Sequence, residues 1–318
     1  MFELADYRNI IDQKLASCLG RSTPNHTVRE IYNYSVLPSG KLFRPLLVGA
    51  IHHDLAANLG QESKLDSFVE GPVNLAVALE LHHAYTLVHD DLPCMDDDDM
   101  RRGRPSTHKA FGQWQAVLVG DGLLNLSYQM LGQSESPHLK ELLKLFAYAT
   151  GPKGLIQGQV LDLSGEMSEN WQNLIQTHQF KTARLIQLAL VGGALCIDRD
   201  QIPNQLRVLK KLARLGSSLG VVFQLLDDLT EFCEEEVSQH EWQVNPWPRW
   251  PEKILPCLES ELKKIQNVIA ELELLSVKKV IDSYFLKTRE SVSVGMPNIK
   301  KHLNGIGDLG PAMDLLQF

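Results

Sequence analysis

Residues 90–102 read Asp-Asp-Leu-Pro-Cys-Met-Asp-Asp-Asp-Asp-Met-Arg-Arg, so six carboxylates and two guanidiniums share thirteen positions. Like charges at this density raise one another's pKa and persist best where divalent cations neutralise them. Magnesium holding a phosphate is the chemistry they suggest. A second acidic group, Asp227-Asp228-Leu229-Thr230-Glu231, follows the apolar turn Val221-Val222-Phe223-Gln224-Leu225-Leu226. On a helix, positions 227 and 231 lie about 40° apart on one face with Asp228 beside them, so their carboxylates can converge on one ion. An isolated DDxxE is more often an exposed charged turn, but an apolar turn running straight into the acids argues for a held ion. Glu235 continues the face, although Glu234-Glu235-Glu236 reads equally as a solvated helix end.

The elements that must position these groups are helices. Apolar residues recur at three and four positions, as in Leu174, Ile175, Leu185, Ile186, Leu188, Ala189 and Leu190, and two-residue alternation is scarce. Glycine and proline near Pro38, Pro93, Gly103-Arg104-Pro105, Gly151-Pro152 and Pro203 divide the chain into long helical segments without a linker-like stretch. The expectation is an all-α chain forming one domain, a bundle with its site in the core. The acidic groups end two of the longest segments, each ~20 residues or more and so ~30 Å long.

Composition narrows the partners. A chain of 318 residues with 44% hydrophobic content buries a large core, and a net charge of −8 argues against nucleic acid or an anionic membrane as the main partner. The five cysteines are scattered, odd in number and free of CxxC spacing, which fits reduced thiols and a cytoplasmic protein. No apolar run reaches the ~18 residues of a membrane span, and the N-terminus lacks a basic targeting region.

Taken in order, the motifs resemble those of the short-chain trans-prenyl diphosphate synthases, most closely the bacterial farnesyl diphosphate synthase type. Gly40-Lys41-Leu42-Phe43-Arg44-Pro45 resembles a GKxxRP element, and Glu80 to His89 the helix entering the first aspartate-rich motif. Asp90, Asp91 and Asp96 look like that motif in its DDxxxxD form, with Arg101-Arg102-Gly103-Arg104-Pro105 as its RRGxP tail. Gly158 to Leu163 resembles GQxxDL, Lys181-Thr182 the lysine–threonine element, and Phe223 to Glu231 the FQxxDD helix.

The resemblance implies an isoprenoid synthase fold, a single-domain bundle of long antiparallel helices around a central cavity, over residues 1–290, followed by an extension, 291–318. It also implies a magnesium-dependent prenyltransferase that joins isopentenyl diphosphate to dimethylallyl or geranyl diphosphate. Asp90, Asp91, Asp96, Asp227, Asp228 and Glu231 would hold magnesium, three ions with substrate bound. Lys41, Arg44, His83 and Arg102 would hold isopentenyl diphosphate, and Arg101, Lys181 and Thr182 the allylic diphosphate, with Gln224 close by. Arginine suits bidentate phosphate contact and lysine supplies a mobile charge. Tyr85, with Thr86 beside it, lies ~7.5 Å before Asp90 along a helix, where a ring could floor the product pocket. An aromatic there resembles farnesyl-length (C15) enzymes. Family members are commonly homodimers.

Three departures stand out. Glu231 replaces the usual Asp. The glycine- and lysine-rich lid after the second motif is missing or rebuilt as residues 232–250, where Arg249 or Lys253 are candidates for its lysine. Leu42 and Phe43 stand where basic or smaller residues are common. Geranylgeranyl or geranyl diphosphate synthesis, a terpene cyclase on the same fold and a weakly catalytic regulatory subunit therefore remain open as alternatives. The tail is expected to be a loose terminus.

Overall fold

A computed structural model describes residues 2–22, 26–60, 70–198, 202–303 and 308–318, apart from the side chains of residues 240 and 241. The helices in order are α1 (Leu4–Ser22), α2 (His26–Val36), α3 (Phe43–Asn58), α4 (Glu70–Asp90), α5 (Thr107–Phe111), α6 (Gln113–Gly132), α7 (Leu139–Thr150), α8 (Leu155–Leu163), α9 (Trp171–His178), α10 (Arg184–Leu195), α11 (Gln205–Thr230), α12 (Gln239–Val244), α13 (Pro246–Arg249), α14 (Pro251–Glu271), α15 (Leu275–His302) and α16 (Gly310–Leu315). Among the described residues, strand is confined to the pair β1 (Met100–Arg101) and β2 (Arg104–Pro105). The chain is all-α, as its periodicity predicts.

The chain forms two compact units, one of Met1–Leu143 with Gly192–Gln201, the other of Lys144–Val191 with Ile202–Phe318. In the first, α4 packs against α3 and α6. Fifteen of its 21 residues are buried, so it is apolar on every side and belongs inside, where packing rather than propensity holds it. It ends at Asp90, two residues before the Leu92-Pro93 step, because proline disfavours a helical residue before it. The first acidic run thus begins where a buried helix must stop.

In the second unit, α11 packs against α14 and α15. At 26 residues it is ~39 Å long. Its partner α14 is one-sided, with Ile254, Leu258, Leu262 and Ile265 at four- and three-residue steps, all fully buried. Residues 179–183 form a π-helical turn between α9 and α10 that packs on α8 and α11. A side chain at Gly158 would overlap the backbone of Lys181, and one at Gly220 would overlap Ala183. These two glycines let neighbouring backbones close on the turn.

The C-terminal tail is docked within the second unit, not loose. Gln266 Nε2 donates to Leu315 O at 3.0 Å, Arg289 Nη1 to Leu316 O, and the Phe318 N–H to Asp282 Oδ1 at 3.0 Å. Ala312 and Leu316 are fully buried, which supplies the apolar anchor. Helix α15 continues unbroken through residue 290, and residues 304–307 of the tail lie outside the described residues.

Candidate active site

In the first unit, the loop after α4 turns back on itself. The Asp96 N–H donates to Asp90 O at 2.9 Å and the Asp97 N–H to Leu92 O at 3.1 Å, so Asp96 returns to the helix end that carries Asp90. The RRGRP tail is the β1–β2 hairpin, with Met100 paired to Pro105 and Arg101 to Arg104. Its central residues Arg102 and Gly103 have φ of 54° and 75°. A two-residue hairpin turn of this kind needs positive φ at both positions, which glycine tolerates best. The hairpin separates the two arginines.

Arg101 turns to the acids, with Nε 2.8 Å and Nη2 2.5 Å from Asp91 Oδ1, and Nη2 2.7 Å from Asp98 Oδ2. Burial raises the Asp91 pKa while Arg101 opposes it. Arg102 turns toward residues 36–40, donating to Val36 O at 3.3 Å and Pro38 O at 3.2 Å, with Nη2 3.7 Å from Glu80 Oε1. Arg104 stacks on Tyr34 at 4.1 Å and donates to Leu37 O at 2.7 Å, while Tyr34 Oη donates to Pro105 O at 2.7 Å. These contacts clamp the hairpin from outside.

Glu80 is 3% exposed, and burial raises its pKa against the pull of Arg102, Arg44 and Arg8. Burial, Arg44 and Arg102 hold His83 well below the ordinary imidazole range. The structure therefore brings Arg44, His83 and Arg102 together around Glu80. Lys41 is exposed, and its carbonyl accepts from Arg8 Nη1 at 3.4 Å. Leu42 and Phe43, the unusual pair in this motif, are 2% and 5% exposed; they are core residues that seat α3, with Leu42 taking a positive φ of 54°.

On α4, the Tyr85 ring lies edge-on to His82 at 4.6 Å and to His89 at 5.6 Å. Burial and Asp90 push its hydroxyl pKa up to about 12. Thr86 Oγ1 donates to His83 O at 2.8 Å, so its hydroxyl is spent on the helix backbone.

In the second unit, Asp227 and Glu231 are exposed and Asp228 is half-buried. Gln224 Nε2 donates to Asp228 Oδ1 at 2.9 Å, and Thr182 Oγ1 donates to Gln224 Oε1 at 3.1 Å. His178 Nε2 is 3.8 Å from Asp228 Oδ2, and burial, aided by Lys181, lowers the His178 pKa to about 3, leaving a neutral ring. Lys181 Nζ pairs with Asp162 Oδ2. Thr182, Gln224 and Asp228 thus form one hydrogen-bonded chain, with Lys181 beside Thr182 on the same π-helical turn.

The rebuilt segment after the second motif also has a definite place. Trp247 is 1% exposed, and its Nε1 donates to Leu225 O at 2.7 Å. Asn245 Nδ2 donates to Asp228 O at 2.8 Å, satisfying one of the carbonyls left over at the end of α11. Arg249 donates to Gln243 O at 2.8 Å and to Ser168 O, and lies 5.0 Å from the Trp250 ring. Its guanidinium is engaged by backbone carbonyls; Lys253 and Glu235 are exposed.

The donor chemistry fits magnesium. Asp90, Asp96, Asp227 and Glu231 are hard oxygen donors with access to water, the ligands this ion takes beside phosphate oxygens. Asp91 and Asp228 each commit one oxygen to a protein donor. Sequence reasoning missed Glu80, Asp162, Asn245 and Trp247 as supporting residues. Asp162 was in view within the GQxxDL element, but nothing local shows that it pairs with Lys181.

An all-α chain with an acidic helix end in each unit, each beside its own cations, has the residue chemistry of a prenyltransferase that handles diphosphates. Residues 25–241 match the family model for polyprenyl synthetase. The chain is 33% identical over 244 residues to farnesyl diphosphate synthase of Bacillus subtilis, covering 74% of this chain and 77% of that protein. It is 36% identical over 230 residues to a chloroplastic geranylgeranyl pyrophosphate synthase of Arabidopsis thaliana, covering 70% and 62%. Among solved structures, the geranyltransferase of Helicobacter pylori complexed with magnesium and isoprenyl diphosphate superposes with a TM-score of 0.69 at 25% identity, covering 94% of this chain and 97% of that one. The chain belongs to the polyprenyl synthetase family, and its activity is prenyl diphosphate condensation.

Proposed function

We propose that this prenyltransferase makes the C15 product, farnesyl diphosphate, by joining isopentenyl diphosphate head-to-tail to dimethylallyl or geranyl diphosphate. The observation that carries the reading is the group of Arg44, His83 and Arg102 around Glu80, beside but separate from the Asp90 cluster. A second set of cations serves a second diphosphate, which a cyclase acting on one substrate does not need.

Lys41, Arg44, His83 and Arg102 hold isopentenyl diphosphate. Lys41, Arg44 and Arg102 supply charge, and His83, kept neutral by burial and by the neighbouring arginines, donates a hydrogen bond without adding a further cation. Arg101, Lys181 and Thr182 hold the allylic diphosphate, with Gln224 orienting Thr182 and Asp228. Magnesium, three ions in the loaded enzyme, would be held by Asp90, Asp96, Asp227 and Glu231, with Asp91 and Asp228 offering their remaining oxygens. When bound, it supplies charge neutralisation for the diphosphate as the allylic carbon–oxygen bond breaks. The protein residues orient the two substrates and provide no nucleophile. Tyr85 limits the tail of the product, and Thr86 supports its turn of helix. We assign the catalytic role to residues 1–290, with 291–318 as a structural extension of the second unit, in a cytoplasmic homodimer.

Incubation with isopentenyl diphosphate and geranyl diphosphate tests the proposal. C15 diphosphate formed with magnesium and abolished by chelator is the expected result. A C20 main product would move the enzyme to the geranylgeranyl type, and hydrocarbon released from farnesyl diphosphate would make it a cyclase.

A further inference from the structure

Asp97, Asp99 and His108 form a cluster that neither diphosphate set uses. One oxygen from each carboxylate and one ring nitrogen of His108 lie within 4.8 Å of one another. The aspartates are exposed, whereas His108, at the start of α5, is 6% exposed. Its Nδ1 is 3.0 Å from Ser106 Oγ, and its Nε2 is buried without a hydrogen-bond partner. The tautomer that donates Nδ1–H to Ser106 leaves the lone pair on Nε2. Metal-binding imidazoles are held in this way, one nitrogen fixed by an oxygen and the other bare.

We propose that Asp97, Asp99 and His108 bind one divalent transition ion, separate from the magnesium of the diphosphate clusters. Two carboxylates and an imidazole suit Mn2+, Co2+ or Zn2+, whereas Mg2+ prefers oxygen alone. Ligand atoms ~2.1 Å from an ion are at most ~4.2 Å apart, so the exposed aspartates need to close by only about half an ångström. Lys109 Nζ, 2.7 Å from Asp99 Oδ1, is the cation that the ion displaces or leaves on one oxygen. The ion clips the Asp97–Asp99 loop to α5, across the 2.9 Å bond from the Ser106 N–H to Asp99 O that closes the hairpin. Arg101 and Arg102 lie within the clipped segment, so the ion steadies both arginines before any diphosphate arrives.

The test is Mn2+ added to chelator-stripped full-length protein in excess Mg2+ without diphosphate, read by pulsed electron paramagnetic resonance. The diphosphate clusters assigned above offer only oxygen, so imidazole nitrogen coupling reports this site. Coupling from one Mn2+ per chain is expected in the wild type and in Asp90→Asn. It should vanish in His108→Gln and in the double variant Asp97→Asn/Asp99→Asn, whose exposed positions leave folding intact, with Mn2+ affinity at least tenfold weaker. Absence of nitrogen coupling in the wild type, or coupling that survives in the double variant, overturns the proposal. The condensation assay on the same preparations succeeds or fails separately, so the two readings do not fall together.

Discussion

The aspartates of the first acidic run do different work. Asp91, 2% exposed and bound by Arg101, shapes the loop, whereas Asp90 and Asp96 are brought together by a backbone hydrogen bond and keep access to water. Asp90→Asn should lower kcat by ~10²-fold or more at saturating substrate, because it removes charge stabilisation needed most as the leaving group departs; steady-state kinetics at high magnesium check this. Glu231→Asp should hold or raise activity, since it shortens the side chain to the length usual in the family. His82 and His178 are buried, with pKa values of about 3 in both cases. Below the ordinary ~6.5 the unfolded chain therefore binds more protons than the folded one, and stability falls with acid by up to ~1.4 kcal/mol per pH unit for each ring. Glu80, raised by burial, contributes with the opposite sign. Urea unfolding between neutral pH and pH ~5 should show this slope, and His178→Gln should flatten it; an unchanged slope in the variant would contradict the assignment.

At the scale of elements, α4 ends at the proposed metal cluster, and the proposed function has it wall the product. Tyr85 fills one of its turns between His82 and His89. Tyr85→Ala should lengthen the main product beyond C15, read by chromatography of the dephosphorylated alcohols; an unchanged distribution would remove Tyr85 from this role. In the second unit, Trp247 and Asn245 hold the end of α11 by its carbonyls. Trp247→Ala should cost ~3–5 kcal/mol by cavity formation, measured by thermal unfolding, and should raise the magnesium concentration needed for half activity.

These elements differ in how far the sequence discloses them. The buried α4 is legible because apolar residues and the Pro93 stop are local signals. The RRGRP hairpin is half legible: Gly103 marks a turn, but the opposite directions of Arg101 and Arg102 follow from strand pairing with Arg104. The pair Lys181–Asp162 spans 19 positions and the contact Trp247–Leu225 spans 22, so packing alone reveals both.

For the whole molecule, the all-α class was open to reading because helical periodicity persists through most of the chain. The division into two units was hidden, since α7 and α10 each contain residues of both and no polar linker marks a boundary. The docked tail left a signal that composition obscured: Leu309, Ala312 and Leu316 recur at helical spacing despite the nearby glycine and proline, and all three are buried. On the proposed function, this molecule uses two diphosphates in one metal-dependent condensation. Pyrophosphate release from geranyl diphosphate, measured in one experiment with and without isopentenyl diphosphate and with and without magnesium, tests that claim most directly. One pyrophosphate per carbon–carbon bond formed is expected, only when both isopentenyl diphosphate and magnesium are present; equal release without isopentenyl diphosphate, or none under any condition, would overturn the assignment.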